Sequence, residues 1–169
     1  MKEVVKLMDY RPDIKIVDAT LRDGGLVNNF RFTDEFVKDL YQTNIKAGVD
    51  VMEFGYKADK EMFDVKDFGK WKFCDDEDIR AVVGDNNTDL KIAVMADVGR
   101  CNYKQDIKPR AESPVDVIRV ATYINQIPSA VDVIEDAVAK GYEVTCVPEN
   151  SQERTSAQWE KPSVARGRQ

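Results

Sequence analysis

The sequence predicts a parallel α/β fold, because apolar runs of strand length alternate with segments of helical spacing and the runs end in charged residues or glycine. Strand starts recur at intervals of 25 to 45 residues, which leaves room for a helix and its loops between successive strands. Buried parallel strands read as continuous apolar stretches, and their carboxyl ends are where loops present polar groups to a ligand.

The first run contains Ile14, Ile16 and Val17 and is expected to be a buried strand that stops at Arg22-Asp23. Gly24 and Gly25 follow, and glycine there allows a sharp turn and a close approach of backbone to ligand. Arg22 offers a fixed fork of N–H donors to an anionic oxygen, and Asp23 is a hard oxygen ligand suited to Mg or Mn. Thr33 then reads as the N-cap of a helix with acidic residues in its first turn. Phe36, Val37, Leu40, Tyr41 and Ile45 fall at helical spacing, and Gly48 ends that helix. Residues 49–56 alternate into a second strand, with Glu53 near its carboxyl end. Residues 57–75 form a charged and aromatic connection, expected as a solvated excursion anchored by a few rings.

Residues 76–83 suggest a short helix stopped by Gly84, and 85–89 are turn chemistry. Residues 90–96 are a clear third strand that runs into Asp97-Val98-Gly99-Arg100. Pro109 and Pro114 leave at most a turn of helix in 101–115. Residues 115–122 form the fourth strand, with Arg119 inside it, and a charge in a buried strand needs a partner or a function. Residues 130–139 are an amphipathic helix stopped by Gly141, and 142–146 begin a fifth strand. After Cys146 the character changes. Residues 147–169 have no apolar period and carry four basic against three acidic residues, where the preceding residues carry 21 against 28. Residues 1–146 are therefore expected to form the folded unit, and 147–169 a disordered or non-native ending.

The chain of 169 residues is long enough for one cored domain. Its net charge of −6 argues against a general electrostatic attraction to nucleic acid or to an anionic membrane, and favours a small-molecule ligand. Cys74, Cys101 and Cys146 are widely spaced and odd in number, so reduced thiols in a cytoplasmic protein are expected. No apolar run approaches the length of a membrane span. The sequence has no histidine, which removes Ser-His, Cys-His and His-metal chemistry.

The heptapeptide Asp18-Ala19-Thr20-Leu21-Arg22-Asp23-Gly24 resembles the D-x-T-L-R-D-G signature of the DRE-TIM metallolyases, the HMG-CoA-lyase-like or pyruvate-carboxyltransferase-like family. Its continuation through Gly25-Leu26-Val27-Asn28-Asn29-Phe30 is similar to an aldolase-type subgroup, and the resemblance covers residues 14–146. It implies part of a TIM (β/α)8 barrel, with about five parallel strands and their helices, since a whole barrel takes about 250 residues. It also implies chemistry in which a divalent metal, Mn or Mg, and an arginine stabilise the enolate of a 2-oxo acid or acyl thioester while a carbon–carbon bond forms or breaks. On that basis Arg22, Glu53 and Arg119 are the candidate catalytic residues and Asp23 the candidate metal ligand. Asn28, Asn29 and Asp97 are candidate substrate contacts. An ion pair between Glu53 and Arg119 or Arg22 that only holds the interior together would account for those residues equally well.

The family completes its metal site with a late His-x-His pair, and related aldolases place a histidine base shortly after D-G, where this sequence has Leu26 and Val27. The chain as given is therefore expected to be inactive or nearly so. The alternative is a non-catalytic binding or assembly module whose open sheet edge is covered by a partner or by a second copy, giving a homo-oligomer. A self-sufficient flavodoxin-like sheet is a third possibility, with no Gly-rich phosphate loop to support it.

Overall fold

In the computed structural model of the protein, residues 13–149 are described. The elements run β1 (Val17–Asp18), α1 (Thr20–Asn28), α2 (Asp34–Ala47), β2 (Val51–Tyr56), α3 (Asp76–Val83), β3 (Lys91–Asp97), α4 (Tyr103–Asp106), β4 (Val117–Tyr123), α5 (Ile127–Ala139) and β5 (Glu143–Glu149). Short 3-10 turns occupy Lys70–Lys72, Arg110–Glu112 and Ile124–Gln126. The five strands pair in the order β1-β2-β3-β4-β5, every pair parallel. Strands laid side by side in chain order, with no reversal, make the curled half of a barrel. A flavodoxin-like sheet would reverse its order at a switch point, so that alternative falls away.

Local chemistry explains most of the boundaries. Thr33 caps α2, its Oγ1 accepting from Phe36 N at 3.2 Å, and Gly48 closes the helix in the left-handed region at φ 70°. Val37 and Tyr41 turn inward, each worth about 1.5–3 kcal/mol in apolar burial. Leu21, Met52, Phe54, Trp71, Ile92 and Ile118 share the core between sheet and helices. In the connection after β2 the outer part, with Glu61, Met62 and Val65, is exposed, whereas Trp71, Lys72, Phe73 and Cys74 are buried. Gly55 makes that return possible, because a Cβ there would stand 1.9 Å from Trp71 O. No helix of the described residues is long and apolar enough to cross a membrane.

The largest departure from expectation is at the amino end. Arg22, Asp23, Gly24 and Gly25 lie within α1, not at the end of a strand. Asp18 accepts hydrogen bonds from both Thr20 N and Thr20 Oγ1, which turns the chain into a helix directly after β1, and Leu21 anchors the first turn fully buried. Ile14, Ile16 and Val17 are 57%, 57% and 43% exposed, so this run is not buried. Gly25 serves close packing here: a Cβ at that position would stand 2.1 Å from the ring of Phe30. The helix ends on Asn29 and Phe30, both at positive φ, 55° and 62°. Smaller differences are that Glu53 sits in the middle of β2, that α5 begins three residues early at Ile127, and that β5 continues through Val147, Pro148 and Glu149. The expectation for residues 150–169 lies outside the described residues.

Two outcomes follow. Gly25→Ala is expected to destabilise by about 1–3 kcal/mol through overpacking against Phe30. Gly24→Ala, whose Cβ would meet Phe32 at an ordinary 3.5 Å, should be neutral or stabilise by up to about 1 kcal/mol. Urea denaturation of both variants checks this, and equal effects would refute the packing account. Burial pushes the thiols of Cys74 and Cys101 up, the latter to about 12, whereas Cys146 is exposed. A thiol reagent should therefore modify Cys146 rapidly in the native protein, the partly accessible Cys101 more slowly, and Cys74 only on unfolding.

Candidate active site

Along a strand successive side chains face opposite ways. Met52 and Phe54 on β2, Ile92 and Val94 on β3, and Ile118 on β4 point into the core beneath the helices. Glu53, Met95, Asp97 and Arg119 alternate with them and so share the other, concave face. The register sets Glu53 beside Ala93 and Arg119 beside Met95, so the two charged residues are diagonal neighbours across β3.

Glu53 is fully buried, and both its arginine partners bind one oxygen. Arg119 Nη1 donates to Glu53 Oε2 at 2.6 Å and Arg22 Nε donates to the same oxygen at 3.0 Å. The arginine side chains keep 17% and 16% exposure, so neither is sealed off from solvent as Glu53 is. Arg22 Nη1 also faces Asp23 Oδ1, and the Asp23 carboxylate is 60% exposed. Burial pushes the Glu53 carboxyl up from its ordinary range, while Arg119 and Arg22 pull it down. Burial works against the charge of Arg22 too, but the hydrogen bond and charge of Glu53 outweigh it and hold the guanidinium cationic.

The other expected contacts stand apart from this cluster. Asp97 is the last residue of β3 on the same face, with Arg100 Nη1 3.5 Å from its carboxylate. Asn28 Nδ2 donates to Arg31 O at 3.2 Å, and Asn29 caps α1 while its carbonyl accepts from Gly69 N at 2.7 Å. Both asparagines are exposed and shape a turn. The sequence reading passed over Tyr56 and Lys72. Tyr56 ends β2 within electrostatic range of Arg22, and its ring centroid lies 4.6 Å from Lys72 Nζ. A lysine flanked by Phe63, Phe68, Trp71 and Phe73 was the available signal.

Among the described residues no group of three or more His, Cys, Asp or Glu side chains is placed to hold a metal ion. Asp23 offers a single carboxylate, and the neighbouring Glu53 gives one oxygen to two arginines and keeps the other buried without a hydrogen-bond partner. These residues do not by themselves make a divalent-cation site.

A half-barrel of parallel strands carrying an arginine–carboxylate–arginine cluster on its concave face defines the class as a TIM-barrel-type α/β protein. No protein-family model matches the chain. Over 118 residues it is 30% identical to 4-hydroxy-2-oxovalerate aldolase 6 of Rhodococcus jostii (strain RHA1), covering 70% of this chain and 32% of that protein. Over 116 residues it is 28% identical to the 4-hydroxy-2-oxovalerate aldolase of Pelotomaculum thermopropionicum, covering 68% and 33%. The crystal structure of the N-terminal domain of a candidate aldolase from Bacteroides vulgatus superposes with a TM-score of 0.60 at 25% identity, over 80% of this chain and 44% of that one. The chain spans about a third of the length of the curated relatives it matches. The chain resembles the N-terminal part of aldolases of the DRE-TIM metallolyase family.

Glu53→Gln should cost about 3–5 kcal/mol, because it leaves two partly buried guanidinium groups without their shared anion. Asp23→Asn, at an exposed pair, should stay within about 1 kcal/mol. Urea melts of the two variants separate a structural anchor from a residue left available for a ligand.

Proposed function

We propose that Arg22, held by Glu53 together with Arg119, is the enolate-stabilising centre of an aldolase-type carbon–carbon lyase that acts on a 2-oxo acid. One observation carries this reading. The arginine of the family heptapeptide is locked through Nε by a fully buried carboxylate, while its Nη1 meets only the exposed carboxylate of Asp23. When the carbon–carbon bond of a 4-hydroxy-2-oxo acid breaks, the electron pair moves toward the 2-oxo oxygen and leaves an enolate there. A guanidinium already fixed in place meets that charge without reorganising, which is where donors of this kind contribute most. Acyl-transfer chemistry through the same enolate would use the same group. The exposed Asp23 contact is the one that gives way to substrate oxygen, at a cost of no more than about 1 kcal/mol.

Asp23 would be one ligand of a divalent cation, Mn or Mg, with the remaining ligands coming from outside the described residues. No histidine is present in the sequence, and the carboxylates beside Arg22, those of Asp23 and Glu53, are paired with its guanidinium. Turnover by this chain is accordingly negligible while binding persists. The expected result is that pyruvate binds, measured by NMR titration, and that Arg22→Ala weakens it on the order of tenfold or more, the value of a charge-assisted hydrogen bond. Equal binding by Arg22→Ala would refute the reading. Exchange of the pyruvate methyl protons with deuterium, at a rate lost in Arg22→Ala, would refute the expectation of negligible turnover.

The exposure of Ile14, Ile16 and Val17 beside β1 favours a second reading, an assembly module whose sheet edge is covered by another copy of the chain. Light scattering after size exclusion should then give a defined dimer that dissociates in Ile16→Lys. A monomer would dispose of this second reading.

A further inference from the structure

The two buried lysines near the carboxyl end of β2 are satisfied very differently. Lys57 Nζ donates to Cys74 O and to Asp76 Oδ1, each at 2.8 Å, so its charge is neutralised inside the fold. Lys72 is 9% exposed and its Nζ meets rings instead: Phe63 at 4.4 Å, Tyr56 at 4.6 Å, Phe30 at 5.1 Å and Phe68 at 5.6 Å from the centroids. Ring faces attract an ammonium but accept its N–H bonds poorly, and the group has three of them. Among the described residues none offers Lys72 Nζ an oxygen within hydrogen-bond or ion-pair distance.

The charged groups that act on Lys72 are Arg100 and Asp97. Burial pushes the Lys72 ammonium down from the usual lysine range, Arg100 pushes it the same way, and Asp97 opposes them. Arg100 is 56% exposed and comes from the loop after β3, which is tied to the Lys72 connection by Asp59 N donating to Arg100 O at 2.9 Å. Asp97 pairs with Arg100 and acts on Lys72 only through space, at the carboxyl ends of β2 and β3. Tyr56, whose ring lies against Lys72 Nζ, ends the strand that carries Glu53, the partner of Arg22.

We infer that Lys72 in its aromatic box, together with Arg100, forms a binding site for a second anionic group of the substrate, at the carboxyl end of the strand whose Glu53 holds Arg22. The substrate class is then a 2-oxo acid that carries a further carboxylate or phosphate remote from its carbonyl. This rests on the reading of Arg22 as the place where the 2-oxo group binds. The aromatic rings hold the ammonium in one position, so a ligand anion meets a preorganised donor, and its charge relieves the repulsion between Lys72 and Arg100.

Two ligands of equal chain length test this: 2-oxoglutarate, which has the distal carboxylate, and 2-oxovalerate, which has a methyl group there. The full chain should bind 2-oxoglutarate on the order of tenfold more tightly in an NMR titration, with the Lys72 side-chain signals shifting only for 2-oxoglutarate. Lys72→Met, which keeps an unbranched apolar stem in the box, should reduce the preference to about twofold or less, and the surface change Arg100→Gln should reduce it partly. Competition by inorganic phosphate or by acetate tells which anion the place takes. Competition by neither, or an undiminished preference in Lys72→Met, overturns the inference. If Arg22→Ala abolishes binding of both acids while Lys72→Met changes nothing, the Arg22 reading stands and this one fails. If the preference follows Lys72 while Arg22→Ala binds both acids normally, the failure lies with Arg22.

Discussion

A carboxylate without access to water has to be neutralised where it stands, and in this protein that constraint falls on Glu53. The solution draws Arg22 from α1 and Arg119 from β4 onto one oxygen of a residue on β2, across sequence separations of 31 and 66 residues. Three elements are therefore committed to one small volume on the concave face. Apolar packing beneath the helices could tolerate shifts of its members, but a buried ion cluster of this kind tolerates little, because any loosened partner leaves a charge exposed to low dielectric. The curl of the sheet, the pitch of α1 and the register of β4 are thus tied to the residues with the most chemistry to offer.

Asp18, Thr20 and Leu21 of the heptapeptide, with Gly25 just after it, serve the scaffold. Asp18 receives the N–H and hydroxyl of Thr20 on one oxygen and Asn44 Nδ2 on the other, at 2.6 Å, which fixes the exit from β1 against α2. Leu21 fills the core, and Gly25 makes room for Phe30. Arg22 turns to Glu53 and Asp23 stays exposed, so scaffold and charged groups interleave within one short segment. Phe30 then forms one wall of the box around Lys72, which links the turn after α1 physically to the connection after β2.

Much of this was legible in the sequence. The cap at Thr33, the stop at Gly48 and the apolar run of β3 are local signals, and each appears where side-chain chemistry demands it. The first strand was misread because two glycines after a charged pair look like a break, whereas a local hydrogen bond from Thr20 to Asp18 starts a helix that runs through both. Arg22, Glu53 and Arg119 were picked out as charges on apolar strands or in a motif, but their shared oxygen depends on the register of three parallel strands, with an irregularity between Glu53 and Tyr56. No local pattern encodes that. Lys72 was hidden for the same reason, since the rings around it come from three separate stretches and only the folded connection gathers them.

The strand order described above also bears on how the chain acquires its structure. Each strand pairs only with its immediate predecessor and successor, so no pairing waits for a distant segment to arrive. Each parallel pairing still has to close the loop that holds the helix between its strands, so the sheet forms more slowly than locally paired structure would. The Arg119 to Glu53 bond reaches further, since it spans three strands and cannot form until β4 has docked. Assembly can thus proceed unit by unit from the amino end, with the reactive face locked only at the fourth strand, after the apolar framework that must carry its charges is in place.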